Sequence, residues 1–189
     1  MAAPREDRAL LRRALLASRN AIDAPARTAA DLRIAALLDE SVRTCLAERL
    51  DHSIVAAYWP VQGEPDLRAL MAQWPNVALP EVVDGTTELR FLSWRPGSAM
   101  AEGRFGIAIP ASGVRCVPDL VIVPCLGFCV AEDGAKWRMG YGGGYYDRTL
   151  AALRVTSIGV AYEMSRLDSF ERQSHDMALG ALVTERARY

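Results

Sequence analysis

From Asp119 to Pro124 the chain reads Asp-Leu-Val-Ile-Val-Pro, an apolar run without alternation. Such a run fits a strand covered on both faces, which is the situation inside a parallel sheet. A glycine-containing connection then leads to Gly140-Tyr141-Gly142-Gly143-Gly144, a helical stretch from about Tyr145 to Leu153, and a second apolar run from Val155 to Tyr162. Strand, loop, helix and strand in that order make a βαβ unit, whose crossover is right-handed. This unit commits the chain to an α/β fold, and the other segments must add to its sheet or cover it.

Two helices are expected before any strand. The first runs from Arg5 to about Ile22; a break at Asp23-Ala24-Pro25 offers a cap and an early proline to the second, about Ala26 to Leu50. At about 100° per residue, Leu11, Leu15 and Ile22 share one arc of the first helix, with Arg5, Arg8, Arg12 and Arg19 on the arc beside it. Ser53 to Trp59 predicts a strand, Pro60 to Pro65 a polar turn, and Asp66 to Trp74 a helix. Asn76 to Val83 and Glu88 to Trp94 predict two more strands, Arg95 to Pro110 is expected to be mostly loop, and Ala178 to Thr184 is a last strand. No repeat or linker interrupts the 189 residues, which matches one domain spanning 1–189.

A composition of 51% hydrophobic and 24% charged residues is that of a globular protein. The formal net charge of −1 provides no field to hold a polyanion, so nucleic acid is not the expected partner; small molecules are. No apolar stretch is long enough to span a membrane and the first ten residues are too polar for a secretory signal, so the expectation is a cytoplasmic protein; with no obvious apolar helix face to spare, a monomer is expected. Cys45, Cys116, Cys125 and Cys129 form no CxxC pair and read as reduced and structural. Lys136 is the only lysine beside 21 arginines, so the choice of Arg at any one site carries little information.

The chemistry concentrates between Arg138 and Arg148. Four glycines in the five positions 140–144 let backbone N–H groups line a concavity, and the following helix adds its positive N-terminal end, a combination suited to an anion. The run is not a Walker A loop, which needs Gly-Lys-Ser/Thr, nor does it have GxGxxG spacing. Taken alone it could be a tight connection. Its flanks add Arg138 and Arg148 as cations for phosphate oxygens, and Asp147 as the hard oxygen ligand that magnesium prefers.

The run Arg138–Arg148, with the strand Pro118–Pro124 and the loop to Phe128 before it, resembles the signature of the 5-formyltetrahydrofolate cyclo-ligases, also called 5,10-methenyltetrahydrofolate synthetases. The N-terminal basic helix, Tyr58–Glu64, Phe105–Pro110 and His175-Asp176 are similar to that family as well, in the same order. The resemblance implies a three-layer α/β/α sandwich with a mainly parallel, Rossmann-like sheet. It also implies an ATP- and magnesium-dependent conversion of 5-formyltetrahydrofolate to 5,10-methenyltetrahydrofolate, with ADP and phosphate released. By carry-over, ATP contacts fall on Arg8, Arg12, Arg138, Gly140, Tyr141, Gly142, Gly143, Gly144, Tyr145 and Tyr146; Arg138, Tyr145 and Arg148 take catalytic roles; Trp59, Glu64, Tyr141 and Tyr145 meet the folate; and Asp147 and Asp176 hold the metal.

The chain departs from that pattern in three places. Gly143 stands where some members have lysine, Cys129 stands where an acidic residue is common, and the segment Cys129–Trp137 is slightly long. Two other readings remain at this level, a non-catalytic phosphometabolite-binding module and a sugar-phosphate isomerase, because a fold does not fix a function.

Overall fold

The computed structural model describes residues 5–189, with side chains from Arg8 onward. Helix α1 spans Arg5–Asn20 and α2 spans Ala24–Leu46, followed by a 3-10 turn at Ala47–His52. Asp23 caps α2 by accepting the Ala26 N–H at 2.8 Å, and Pro25 lies in its first turn, where a missing N–H costs nothing. The predicted helix from Asp66 to Trp74 contracts to one turn, α3 at Arg68–Met71. Helix α4 occupies Tyr145–Leu153.

The strands are β1 Val55–Ala56, β2 Val77–Val82, β3 Leu89–Trp94, β4 Met100–Glu102, β5 Ala108–Pro110, β6 Arg115–Cys116, β7 Leu120–Pro124, β8 Gly127–Val130, β9 Lys136–Met139, β10 Thr156–Val160 and β11 Ala181–Val183. Seven of them form one sheet in the order β11-β10-β7-β1-β2-β3-β6. The first five in that order are mutually parallel, β3 runs antiparallel to β2, and β6 antiparallel to β3. The mainly parallel sandwich is therefore present. Two features differ from expectation. The stretch 95–110, expected to be mostly loop, also carries the short hairpin β4–β5, and a second hairpin, β8–β9, interrupts the βαβ unit. The glycine run thus leaves β9 rather than the buried strand.

Alternation in β1 and β7 divides the core. Val55, Leu120 and Ile122 face Ile34, Leu38 and Val42 of α2 and Leu70 and Met71 of α3. Ala56, Val121 and Val123 face Leu150 of α4 together with Phe91 and Leu182. Because β7 is covered on both faces, every one of its five residues is buried. Helix α1 packs on neither face; its Leu11, Leu15 and Leu16 close over Leu126 and Met139 of the β8–β9 segment, which brings its arginines to the end of the sheet. At one sheet edge, Tyr189 folds back to exchange hydrogen bonds with Leu182 of β11, at 2.8 and 3.1 Å. Among the described residues no helix is long and apolar enough to cross a membrane.

Candidate active site

Chain order along the sheet reverses between β1 and β7, and in open α/β sheets the crevice at the carboxyl ends of such strands is where ligands bind. A cleft of about 650 Å³ lies there. Tyr58 and Trp59 after β1, Pro80 and Val82 of β2, and Pro124 of β7 form its floor. The glycine loop closes one wall, α1 contributes Arg8 and Arg12, and the segment before β11 contributes Gln173, His175 and Asp176. Every residue expected at the site from the sequence lines this cleft except Arg148.

Gly142 has a φ of 101°, outside the range comfortable for residues with a side chain, so the loop needs glycine there. No side chain caps the N-terminus of α4, where Gly144 is the N-cap residue. The first N–H groups of that helix therefore lack the side-chain partner that usually satisfies one of them, the local condition for binding an anion. Arg12 donates from Nε to the Gly140 carbonyl at 2.9 Å, and its guanidinium lies beside Gly142, 3.5 Å from where a Cβ would stand. Burial and the neighbouring Arg8 charge both lower the Arg12 pKa, the strain of two cations held side by side in a half-buried place. Arg12, not Lys136, is thus the cation at the loop's centre. Lys136 lies in β9, where it pairs with Val130 and bridges Leu179.

Asp147 and Asp176 are not bare carboxylates. Asp147 receives Arg138 at 2.6 Å and the Met177 N–H at 3.2 Å, and Asp176 receives Arg8 at 3.1 Å and the Gln173 N–H at 2.8 Å. Both pairs are at least 90% buried at their side chains. Each arginine keeps a buried Nε without a partner. Unused donors at that depth are costly and mark the side of each pair on which a further acceptor would be welcome. Among the described residues no three His, Cys, Asp or Glu side chains gather into a metal cage.

At the other end of the cleft Glu64 is 5% exposed. Its Oε1 accepts the Tyr141 hydroxyl at 2.6 Å and its Oε2 the Val61 N–H at 3.0 Å. Burial raises the Glu64 pKa, against the opposing effects of those two hydrogen bonds and of the Arg19 charge. Trp59 stands edge-on to Trp94 at 6.2 Å. Tyr146 is partly buried under Arg138, whose guanidinium lies 5.5 Å from its ring, so this tyrosine packs the helix start, whereas Tyr145 faces Phe105 edge-on at 6.4 Å.

Arg148, expected as a phosphate clamp, points elsewhere: its Nε donates to the Thr87 carbonyl and its Nη2 to the Gly143 carbonyl, both at 2.7 Å. It braces the loop from behind. Conversely, sequence reasoning missed Arg19, which is 3% exposed, and the contribution of the β4–β5 hairpin through Arg104, Ile107 and Ile109. The arc shared by Arg8, Arg12 and Arg19 was the one available sign of the first, and Phe105-Gly106-Ile107 of the second.

A family profile described as the 5-formyltetrahydrofolate cyclo-ligase family matches residues 4–185. A 5-formyltetrahydrofolate cyclo-ligase of Haemophilus influenzae is 31% identical over 147 residues, covering 71% of this chain and 76% of the relative. One from Mycolicibacterium smegmatis is 32% identical over 146 residues, covering 69% and 72%. The NMR structure of Aquifex aeolicus 5,10-methenyltetrahydrofolate synthetase superposes with a TM-score of 0.77 at 26% identity, over 96% of this chain and 91% of that one. The chain therefore belongs to the 5-formyltetrahydrofolate cyclo-ligase family, a family of ligases.

Proposed function

We propose that the protein uses ATP and magnesium to convert 5-formyltetrahydrofolate to 5,10-methenyltetrahydrofolate, releasing ADP and phosphate. One observation carries this reading. A single cleft has an anion-binding loop with Arg8, Arg12, Arg138, Asp147 and Asp176 at one end, and a buried carboxylate, Glu64, with aromatic walls at the other. Triphosphate suits the first end and a flat, donor-rich pterin suits the second.

The formamide oxygen is a poor leaving group. Transfer of the γ-phosphoryl of ATP to that oxygen makes it a good one; N10 of the folate then attacks the formyl carbon, and the C–O bond breaks as phosphate leaves. Positioning and charge neutralisation are what such a transfer asks of a protein, and no nucleophilic side chain is needed. In this reading the N–H groups of Gly142–Tyr145 and the guanidinium of Arg12 receive the phosphates. Arg138 and Arg8 turn their unused donors to phosphate oxygens, Tyr145 borders the reacting groups, and Arg148 holds the loop in shape. Magnesium would be held by Asp147 and Asp176 together with phosphate oxygens, a sparse protein shell typical of that ion, and it would supply neutralising charge. Trp59, Glu64 and Tyr141 receive the folate.

The test is to mix the protein with ATP, magnesium and 5-formyltetrahydrofolate and to follow the methenyl chromophore and phosphate. Stoichiometric formation of both is expected. Binding of ATP with neither product would favour the phosphometabolite-binding module instead.

A further inference from the structure

Glu64 sits in a turn that two arginines hold from outside the cleft. Gln62 and Gly63, just before it, both have left-handed backbone angles, φ of 50° and 73°. Arg19 of α1 donates from Nε to the Gln62 carbonyl at 3.1 Å, and Arg27 of α2 donates from Nη1 to the Gly63 carbonyl at 2.6 Å. A left-handed backbone is costly for the non-glycine Gln62, and these bonds help to offset that cost in the geometry that presents Glu64.

Arg19 does a second thing. Its Nη2 donates to the Tyr141 hydroxyl, and its guanidinium stands 5.6 Å from the Tyr141 ring centroid. A phenol oxygen has one proton. Because Arg19 can only donate, Tyr141 must accept there and direct its own proton to Glu64 Oε1. The three groups form a chain of donors that runs one way, from α1 through the glycine loop to the turn, and each bond polarises the next. Arg19 is absent from the lining of the cleft and its Nη1 is buried without a partner, so what it contributes to the cleft passes through Tyr141 and the Gln62 carbonyl.

We propose that Arg19 is a positioning residue: it fixes the direction of the Tyr141 hydroxyl and so keeps Glu64 a hydrogen-bond acceptor for the donors of the folate ring. This rests on the reading that Glu64 meets the folate. It gives Arg19 a role distinct from Arg8 and Arg12, which share its helix arc but serve the phosphate end. Tyr141 of the loop contacts Glu64, and Arg19 of α1, Tyr58 beyond β1, Cys125 beyond β7 and Tyr146 of α4 are near enough for their charges to be coupled to it. Arg19 is the cation in that set. Burial already pushes Glu64 toward its neutral form, and Arg19 and Tyr141 oppose it.

The test compares R19M, Y141F and the double variant with the wild type in three measurements: KM for each substrate, the pH profile of kcat/KM for 5-formyltetrahydrofolate, and the carbon-13 NMR titration of the Glu64 carboxyl in ligand-free protein. For R19M we expect kcat/KM for the folate to fall about tenfold, the scale of one hydrogen bond to a charged group, with KM for ATP unchanged. Loss of a cation and of a fixed donor raises the carboxyl's affinity for protons, so the acid limb of the profile and the NMR midpoint should both move to higher pH. In the Y141F background the same substitution should have a smaller effect, because the chain is already cut and only the Arg19–Gln62 bond and the Arg19 charge remain to be lost. Should R19M fail to fold, Y141F, which leaves the Arg19–Gln62 bond in place, should show the same upward move of limb and midpoint. An unmoved limb and midpoint in R19M, or in Y141F when R19M does not fold, would overturn the proposal, as would an equal cost of R19M in both backgrounds. No turnover by the wild type would instead sink the cyclo-ligase reading, and with it the role given to Arg19.

Discussion

Replacing Asp147 by Asn tests whether the buried pair at the phosphate end is a store of charge for the reaction or a piece of scaffolding. Asp147 Oδ2 and Arg138 Nη2 are 2.6 Å apart, and both side chains are at least 90% buried. Removing one partner from such a pair leaves the other charge uncompensated, at a cost of about 3–5 kcal/mol. Asparagine keeps one oxygen, which can accept from Arg138 or from the Met177 N–H but not from both, and that partial compensation puts the expectation at the lower end, about 3 kcal/mol. For a domain of this size each kcal/mol lowers Tm by about 2–4 °C, which gives a fall of about 6–12 °C in the absence of ligand. ATP with magnesium would return a counter-charge to Arg138, so the variant should regain more Tm on adding them than the wild type does. Turnover should nonetheless drop roughly 100-fold or more, as when one preorganised electrostatic group is lost. Thermal melts with and without ATP and magnesium, beside the chromophore assay, measure all three. A variant with wild-type Tm and normal turnover at low magnesium would refute both the energetics and the metal assignment.

Arg12→Ala should raise KM for ATP about tenfold with little loss of stability, whereas Arg8→Ala should also cost about 3 kcal/mol because Asp176 is left buried and unpaired; urea titration separates the two. Glu64→Gln should weaken folate binding by about 1–3 kcal/mol, read by calorimetry, and leave ATP affinity unchanged. The same substitution should flatten the pH dependence of the ligand-free protein's stability. Burial raises the folded-state pKa of Glu64 above its ordinary 4.5, so the stability tied to this group is full below that value and is lost as pH rises through the folded pKa; the variant should lack that fall in Tm above about pH 4.5. Gly142→Ala should cost about 1–3 kcal/mol of backbone strain at φ 101° and impair ATP binding, which equilibrium unfolding and nucleotide titration would detect.

What could be read from the sequence was local. The buried strand Leu120–Pro124, the glycine loop and α4 announce themselves through apolar runs, glycine spacing and helical period, each within a few residues. The β8–β9 hairpin is hard to see because Gly127–Val130 is short and apolar and reads as part of a connection, although Asp133-Gly134 between the strands is a known turn pair. Helix α3 shrank to one turn since the core claims only Leu67, Leu70, Met71 and Trp74 from that stretch. At the site, residue types were legible but their partners were not. Nothing near Arg19 shows that its target is Tyr141, 122 positions away, and Arg148 looks identical whether it faces phosphate or the Thr87 carbonyl. Helical phase gives a direction on one helix; only packing determines what is met there.

The edges of the sheet bear on how the protein behaves in a crowded solution. An exposed strand edge is a template on which another chain can add itself. Here one edge, β6, is two residues long, and at the other the backbone of Leu182 is already engaged by Tyr189. Deleting residues 186–189 would free the β11 edge without touching the cleft. A chain shortened in that way should remain catalytically competent when fresh, yet lose material to aggregates on standing or at high concentration, so that its shelf life rather than its turnover would register the loss.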